Sequence, residues 1–109
     1  MKPFEDLLSS YVSSGIDPSV VHRWYERNAP SEKSLSTLAE VIGEAFVSSR
    51  IDFNTASGLL NQLMPLLGFE AAPRRFWEYY IAFENFETNP EPDTSARAAI
   101  AVLAHGNAS

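Results

Sequence analysis

The stretch that decides the fold is residues 31–64, SEKSLSTLAEVIGEAFVSSRIDFNTASGLLNQLM. Apolar side chains recur in it in two runs, at the intervals of three and four residues that form one face of an α-helix. Ser31 and Asp52 precede the two runs, where a short polar side chain can accept hydrogen bonds from free backbone N–H groups. The stretch predicts two amphipathic helices, the first ending near Ser49. Their apolar faces comprise Leu35, Leu38, Ala39, Ile42, Ala45 and Phe46, and then Phe53, Ala56, Leu59, Leu60, Leu63 and Met64.

The residues before this stretch predict two further helices. Residues 3–14 carry apolar side chains at helical spacing, and Gly15 ends the run. Asp17 then provides an N-cap, and Pro18 suits the first helical turn because an N–H has no intrahelical partner there. The second helix ends at the break formed by residues 28–31.

The residues after the stretch predict a fifth helix, from Pro73 to about Phe86, and a sixth over residues 94–104. The fifth helix is apolar on most sides, which is typical of a helix at the centre of a core or in an interface. Residues 88–93, TNPEPD, are predicted to form a linker with two prolines, and residues 105–109 a frayed tail.

The chain as a whole predicts an all-α fold. No segment sustains the alternation of apolar and polar residues that a half-buried strand shows. Because 109 residues are too few to build two stable cores, residues 1–109 are expected to form a single helical domain. We therefore predict a single compact bundle of five or six short helices.

The charge balance argues against one class of function, and the residue content excludes others. Fourteen acidic and eight basic residues give a net charge of −6, whereas a general nucleic-acid binder needs a basic excess to displace counterions from phosphate. A chain without cysteine forms no disulfide and no cysteine-ligated metal site. Its start has no apolar signal core and no apolar run reaches bilayer length, so we expect a cytoplasmic protein without a membrane partner.

No motif in the chain predicts catalysis. It contains no glycine-rich phosphate loop and no serine in the context of a nucleophile elbow. The two histidines, His22 and His105, stand alone, and no glutamate has a histidine three residues on, as a carboxylate-bridged metal site requires. We expect a protein that is not an enzyme and binds neither a metal nor a cofactor.

Aromatic and acidic side chains occur together in and after the fifth helix. Four acids and no base between residues 84 and 93 are the strongest local charge feature of the chain. An acidic surface attracts a basic protein, and aromatic side chains supply contacts that slow its release. We therefore predict another protein, a basic one, as the partner, with a homo-oligomer as a further option. The predicted partner-binding residues are Trp77, Tyr80, Glu84, Glu87, Glu91 and Asp93.

Residues 39–87 resemble small acidic all-helical bacterial proteins of the immunity type. In that family a helix ends in Ala-Phe, the next carries Asp/Ser-Phe-x-x-Ala-x-x-Leu-x-Asn-x-Leu, and a later helix carries an aromatic residue, Ala-Phe and an acid pair. The resemblance implies an inhibitor that blocks a bacterial toxin, and Asn61 is expected to bond to a neighbouring helix end. The matching positions are Ala45, Phe46, Asp52, Phe53, Ala56, Leu60, Asn61, Leu63, Tyr80, Ala82, Phe83, Glu84 and Glu87.

Residues 15–43 resemble, more locally, the recognition-helix half of phage-repressor-type helix-turn-helix domains. Gly15-Ile16 corresponds to the turn of that motif, and Trp24 to the residue that anchors the recognition helix. The resemblance implies a DNA-binding transcriptional regulator. Because residues 1–50 hold seven acids and five bases, we treat this function as the alternative to protein binding. The residues that would face the DNA groove are Pro18, Ser19, His22 and Arg23.

Overall fold

The computed structural model describes residues 2–15, 17–68 and 70–105, which form helices and contain no strand. The chain is compact, with a radius of gyration of 12.9 Å, so the predicted all-α bundle is confirmed. No helix in the described ranges combines the length and the apolar character needed to cross a lipid bilayer. The described residues form six helices: α1 (Lys2–Ser13), α2 (Pro18–Asn28), α3 (Glu32–Val47), α4 (Phe53–Leu67), α5 (Arg74–Glu84) and α6 (Pro92–His105).

Polar side chains begin three of the helices, as the sequence predicts. Asp17, Ser31 and Asp52 each accept a hydrogen bond from a backbone N–H in the first turn of α2, α3 and α4, respectively. These bonds satisfy N–H groups that have no partner within the helix. Pro73 precedes α5 without a side-chain bond.

The end of α5 differs from its prediction. The helix ends at Glu84, two residues before the predicted Phe86, and a turn follows over residues 85–88. In this turn the N–H of Phe86 donates to the carbonyl of Phe83, and the N–H of Glu87 donates to the carbonyl of Glu84. A hydrogen bond between residues three apart closes a tighter turn than the α-helical bond between residues four apart. The chain therefore turns away from the axis of α5 here.

The bounds of α6 also differ from their prediction. The helix begins at Pro92, so the last two residues of the predicted linker 88–93 belong to its first turn, a position that suits proline. At the other end, His105 is the last residue of α6 and not part of a frayed tail. The remainder of that tail, residues 106–109, lies outside the described residues.

The central helix of the bundle is α3, which contacts α1, α4, α5 and α6. Leu38, Ile42 and Phe46 lie on one stripe of it and are completely buried, as their spacing predicts. The ring of Phe46 packs edge-on against Phe53 of α4 and Phe83 of α5, at centroid distances of 6.0 and 5.2 Å. Edge-on pairs of this kind are the favoured aromatic geometry, and they join α3, α4 and α5 in one core.

The backbone of α3 approaches α5 most closely at Gly43. A Cβ atom at this position would overlap the ring of Tyr79, lying 2.9 Å from Cδ1 and closer still to Cε1. Tyr79 is itself completely buried and cannot turn away into solvent. Only glycine therefore fits at this point of the α3–α5 contact.

Arg75 connects the same two helices to α6. Its Nε lies 3.1 Å from Oε1 of Glu40 on α3, and its Nη1 lies 3.1 Å from Oε1 of Glu78 on α5. Its Nη2 donates a hydrogen bond of 2.8 Å to the carbonyl of Leu103 on α6. The guanidinium group also lies 5.0 Å from the centroid of the Tyr79 ring. A planar fork of donors can hold all these partners at once, which lysine cannot do.

Replacing Gly43 by alanine is expected to destabilise the protein by about 1–3 kcal/mol, the usual cost of overpacking a core. Urea denaturation followed by circular dichroism measures this change in the free energy of unfolding. In a Tyr79→Leu background the same replacement should cost less, because the smaller side chain leaves room for the methyl group. An equal cost in both backgrounds would contradict the close contact between Gly43 and Tyr79.

Alkaline pH is expected to destabilise the fold through Tyr79. Burial raises the pKa of its hydroxyl to about 12 against the lowering influence of Arg75, whereas the pKa is about 10 in an unfolded chain. The stabilisation that comes from keeping this hydroxyl neutral is therefore complete below pH 10 and is lost as the pH rises from about 10 to about 12. The free energy of unfolding should fall less steeply over this interval in Tyr79→Phe. Parallel curves for the two proteins would refute this assignment.

Candidate protein-binding surface

An open apolar groove of about 590 Å³ lies between α5 and α6, and we call it the α5–α6 groove. Trp77 and Ile81 line it from α5, one helical turn apart, and Val102 and Leu103 line it from α6. Ile81 and Val102 leave 46% and 70% of their surface exposed. Large apolar side chains that lie exposed side by side are typical of a surface that contacts another molecule.

A row of side chains extends this surface along α5 and the following turn, and we call Tyr80, Glu84 and Glu87 the acidic ridge. The ring of Tyr80 packs edge-on against Trp77 of the groove, with 5.6 Å between the centroids. Burial raises the pKa of the Tyr80 hydroxyl, and the carboxylates of Glu84 and Glu87 raise it further because they lie nearby. The fold thus brings four of the six predicted partner-binding residues together.

Glu87 also holds the turn after α5 against α4. Its Oε1 accepts hydrogen bonds from the hydroxyl of Ser57, at 2.8 Å, and from the side-chain amide of Asn61, at 3.0 Å. Asn61 therefore bonds to a side chain of the turn after α5, and not to a helix end as predicted. The carboxylate of Glu87 thus stabilises the contact between the turn and α4, and it also contributes its charge to the acidic ridge.

The last two predicted binding residues, Glu91 and Asp93, differ from each other in their surroundings. Oδ2 of Asp93 accepts a 3.1 Å hydrogen bond from the backbone N–H of Phe53, at the start of α4, where the helix dipole favours a negative charge. Glu91 is exposed, and its side chain forms no hydrogen bond or ion pair with any described residue. Asp93 therefore joins α6 to α4, whereas Glu91 is available to a partner.

The residues predicted to face DNA lie on α2, where Ser19, His22 and Arg23 are all exposed. The pKa of the Asp17 carboxyl, at the start of this helix, is lowered by hydrogen bonds from Ser19 and, more weakly, by the charge of Arg23. Gly15 has φ of +73°, a left-handed conformation suited to glycine in the predicted turn. Ile16 of that turn lies outside the described residues.

Ile81 and Val102 of the groove are absent from the predicted binding residues. For Ile81 the sequence holds no clear signal, because apolar side chains surround α5 on most sides. For Val102 the sequence does hold a signal: Ala96 and Ile100 are four residues apart on one face of the helix, and a residue two positions after Ile100 points away from that face.

Comparison of the chain with protein families, with curated proteins and with solved structures finds no match. The resemblances to immunity-type proteins and to phage-repressor helix-turn-helix domains therefore stay predictions from the sequence.

Replacing Asp93 by alanine is expected to destabilise the protein by about 1 kcal/mol, because the N–H of Phe53 loses its charged acceptor. Glu91→Ala is the matched control, two residues away and without a side-chain partner among the described residues, and should change stability by less than about 0.5 kcal/mol. Thermal and urea unfolding of the two variants measure the difference. Equal stabilities would show that the bond to Phe53 contributes nothing.

Proposed function

We propose that this protein is a non-enzymatic protein-binding module, an immunity-like inhibitor of a bacterial toxin or of another basic protein partner. The observation that carries this proposal is the exposed apolar α5–α6 groove, whose Trp77 packs against Tyr80 of the acidic ridge. Apolar anchors beside a polar, charged rim are the usual organisation of a protein–protein interface. A net charge of −6 favours a basic partner. We place both proteins in the cytoplasm.

The charges of Glu84, on the ridge, and of Glu91, just before α6, favour fast association with such a partner. Glu91 is exposed, and Glu84 lies beside Tyr80 on the surface of α5, so neither carboxylate bonds to another helix. Complementary charges raise the rate of association, and dissolved salt screens them. Glu84 and Glu91 are therefore the residues that can be neutralised without loosening the fold.

The apolar side chains of the α5–α6 groove favour slow dissociation of the partner. An amphipathic helix of the partner fits a trough between two helices when its apolar side chains recur every three or four residues. Such a helix would cover Trp77, Ile81 and Val102, and the removal of their apolar surface from water stabilises the complex. Basic residues flanking its apolar face would meet the ridge.

DNA binding through α2 is the second candidate function, and the exposure of Ser19, His22 and Arg23 on one helix favours it. The acidic net charge weighs against it, because contacts with phosphate need a basic surface. A salt-sensitive, sequence-specific shift of duplex DNA that Arg23→Ala abolishes would favour this function over inhibition.

Val102→Glu is expected to weaken partner binding at least tenfold, because it places a charge among the apolar contacts of the groove. The fold should be unaffected, since Val102 is largely exposed. Val12→Glu is the matched control, as Val12 is 51% exposed on α1, outside the groove. Proteins retained from the source cell by the wild type and by the control, but not by Val102→Glu, are then purified for binding kinetics.

The purified partner separates the two parts of the proposal. Glu84→Gln combined with Glu91→Gln should slow association roughly three- to tenfold at low salt, and the difference should vanish at high salt. Trp77→Ala should instead speed dissociation. Equal retention of every protein by Val102→Glu and Val12→Glu would contradict the proposal. A dimer of the wild type that Val102→Glu dissociates would assign the groove to a second copy of the chain.

A further inference from the structure

A second groove, of about 420 Å³, lies between α1 and α2 at the opposite end of the sequence from the first. Its apolar part is formed by Leu7 of α1 and by Val20 and Trp24 of α2. Arg23 and Arg27, one helical turn apart on α2, line its polar part. We call it the α1–α2 groove.

In their lack of an ion pair, the two arginines of this groove differ from three of the other four arginines in the described part of the chain. Arg50, Arg74 and Arg75 each lie within 4.0 Å of a glutamate carboxylate. Arg23 and Arg27 form no such pair with any described residue, although the carboxylate of Asp6 lines the same groove. The lining of the groove thus holds two guanidinium groups and one carboxylate, and Asp17 lies near enough to Arg23 to feel its charge.

The remaining polar groups of the groove can complete a site for a ligand. Ser10 lines it from α1, and Asn28 lines it from the end of α2. The side-chain amide of Asn28 donates 2.9 Å to the carbonyl of Trp24, which fixes its orientation beside the tryptophan. The hydroxyl of Ser10 and the second N–H of this amide can donate to a ligand, and Asp6 can accept from one.

We propose that the α1–α2 groove binds a small organic phosphate with a flat aromatic body, of the class of a nucleoside monophosphate. A guanidinium group can donate two parallel hydrogen bonds to the oxygens of one phosphate, so Arg23 and Arg27 hold the phosphate. Trp24 and its apolar neighbours receive the aromatic body, and Asp6 accepts a hydrogen bond from its hydroxyl or amino groups. The volume lies within the range of about 300–1,000 Å³ found for small-ligand sites.

This site is independent of the proposed partner-binding function, because it uses α1 and α2 whereas the α5–α6 groove uses the other end of the chain. A chain that binds a basic protein can also respond to a phosphate ligand. Failure of one proposal leaves the other untouched.

Tryptophan fluorescence tests the proposal with adenosine 5′-monophosphate as the probe. The chain has two tryptophans, so Trp77→Phe leaves Trp24 as the reporter. Titration should give a saturable change in emission, with phenyl phosphate weaker, and adenosine or inorganic phosphate at least tenfold weaker than the nucleotide. In the same background, Arg23→Gln and Arg27→Gln should each weaken binding at least fivefold. Arg74→Gln, at an arginine whose side chain is 94% exposed on α5, is the control and should have no effect.

Three results would overturn the proposal, provided that circular dichroism shows each variant folded. One is the absence of a saturable change up to 10 mM nucleotide, since a site with a dissociation constant of about 1 mM or less would be nearly saturated at that concentration. Another is equal binding of adenosine and its monophosphate, which would remove the role of the arginines. The third is Arg23-dependent binding of duplex DNA without binding of the mononucleotide, which would assign α2 to nucleic acid.

Discussion

The close approach of α3 and α5 at Gly43 is the constraint on which the rest of the structure depends. The ring of Tyr79 occupies the space that any side chain at Gly43 would need, so α5 lies directly on the backbone of the central helix. At this separation Arg75, one turn before Tyr79, reaches both Glu40 on α3 and the carbonyl of Leu103 on α6. One steric contact thus orders three helices and places α6 beside α5, where the groove forms.

Local chemistry decides the parts of the fold that the sequence predicts well. Asp17, Ser31 and Asp52 cap the helices that follow them because each needs only an N–H two or three residues ahead. The end of α5 is different, because the turn after Glu84 is held by a bond between Glu87 and Ser57, thirty residues earlier in the chain. A contact between residues so far apart leaves no pattern among neighbouring residues, so this boundary could not be predicted.

The aromatic run of α5 explains why the candidate site is only partly predictable. Phe76, Tyr79 and Phe83 are buried, at the spacing of three and four residues that marks a core face. Trp77 and Ile81 belong to the same run but line the groove, so the run is both core and surface. Apolar residues on the two sides are alike in sequence, and only the packed neighbours distinguish them.

The hydrogen bonds of Glu87 and Asp93 have a consequence for how this surface can change over evolutionary time. Both carboxylates join the α5–α6 region to α4, so replacing either one loosens the scaffold itself. The side chains of Glu84 and Glu91 bond to no other helix among the described residues, so other residues can replace them at little cost in stability. New partner specificities would therefore arise through replacement of Glu84 and Glu91, whereas Glu87 and Asp93 would stay unchanged because they hold the helices together.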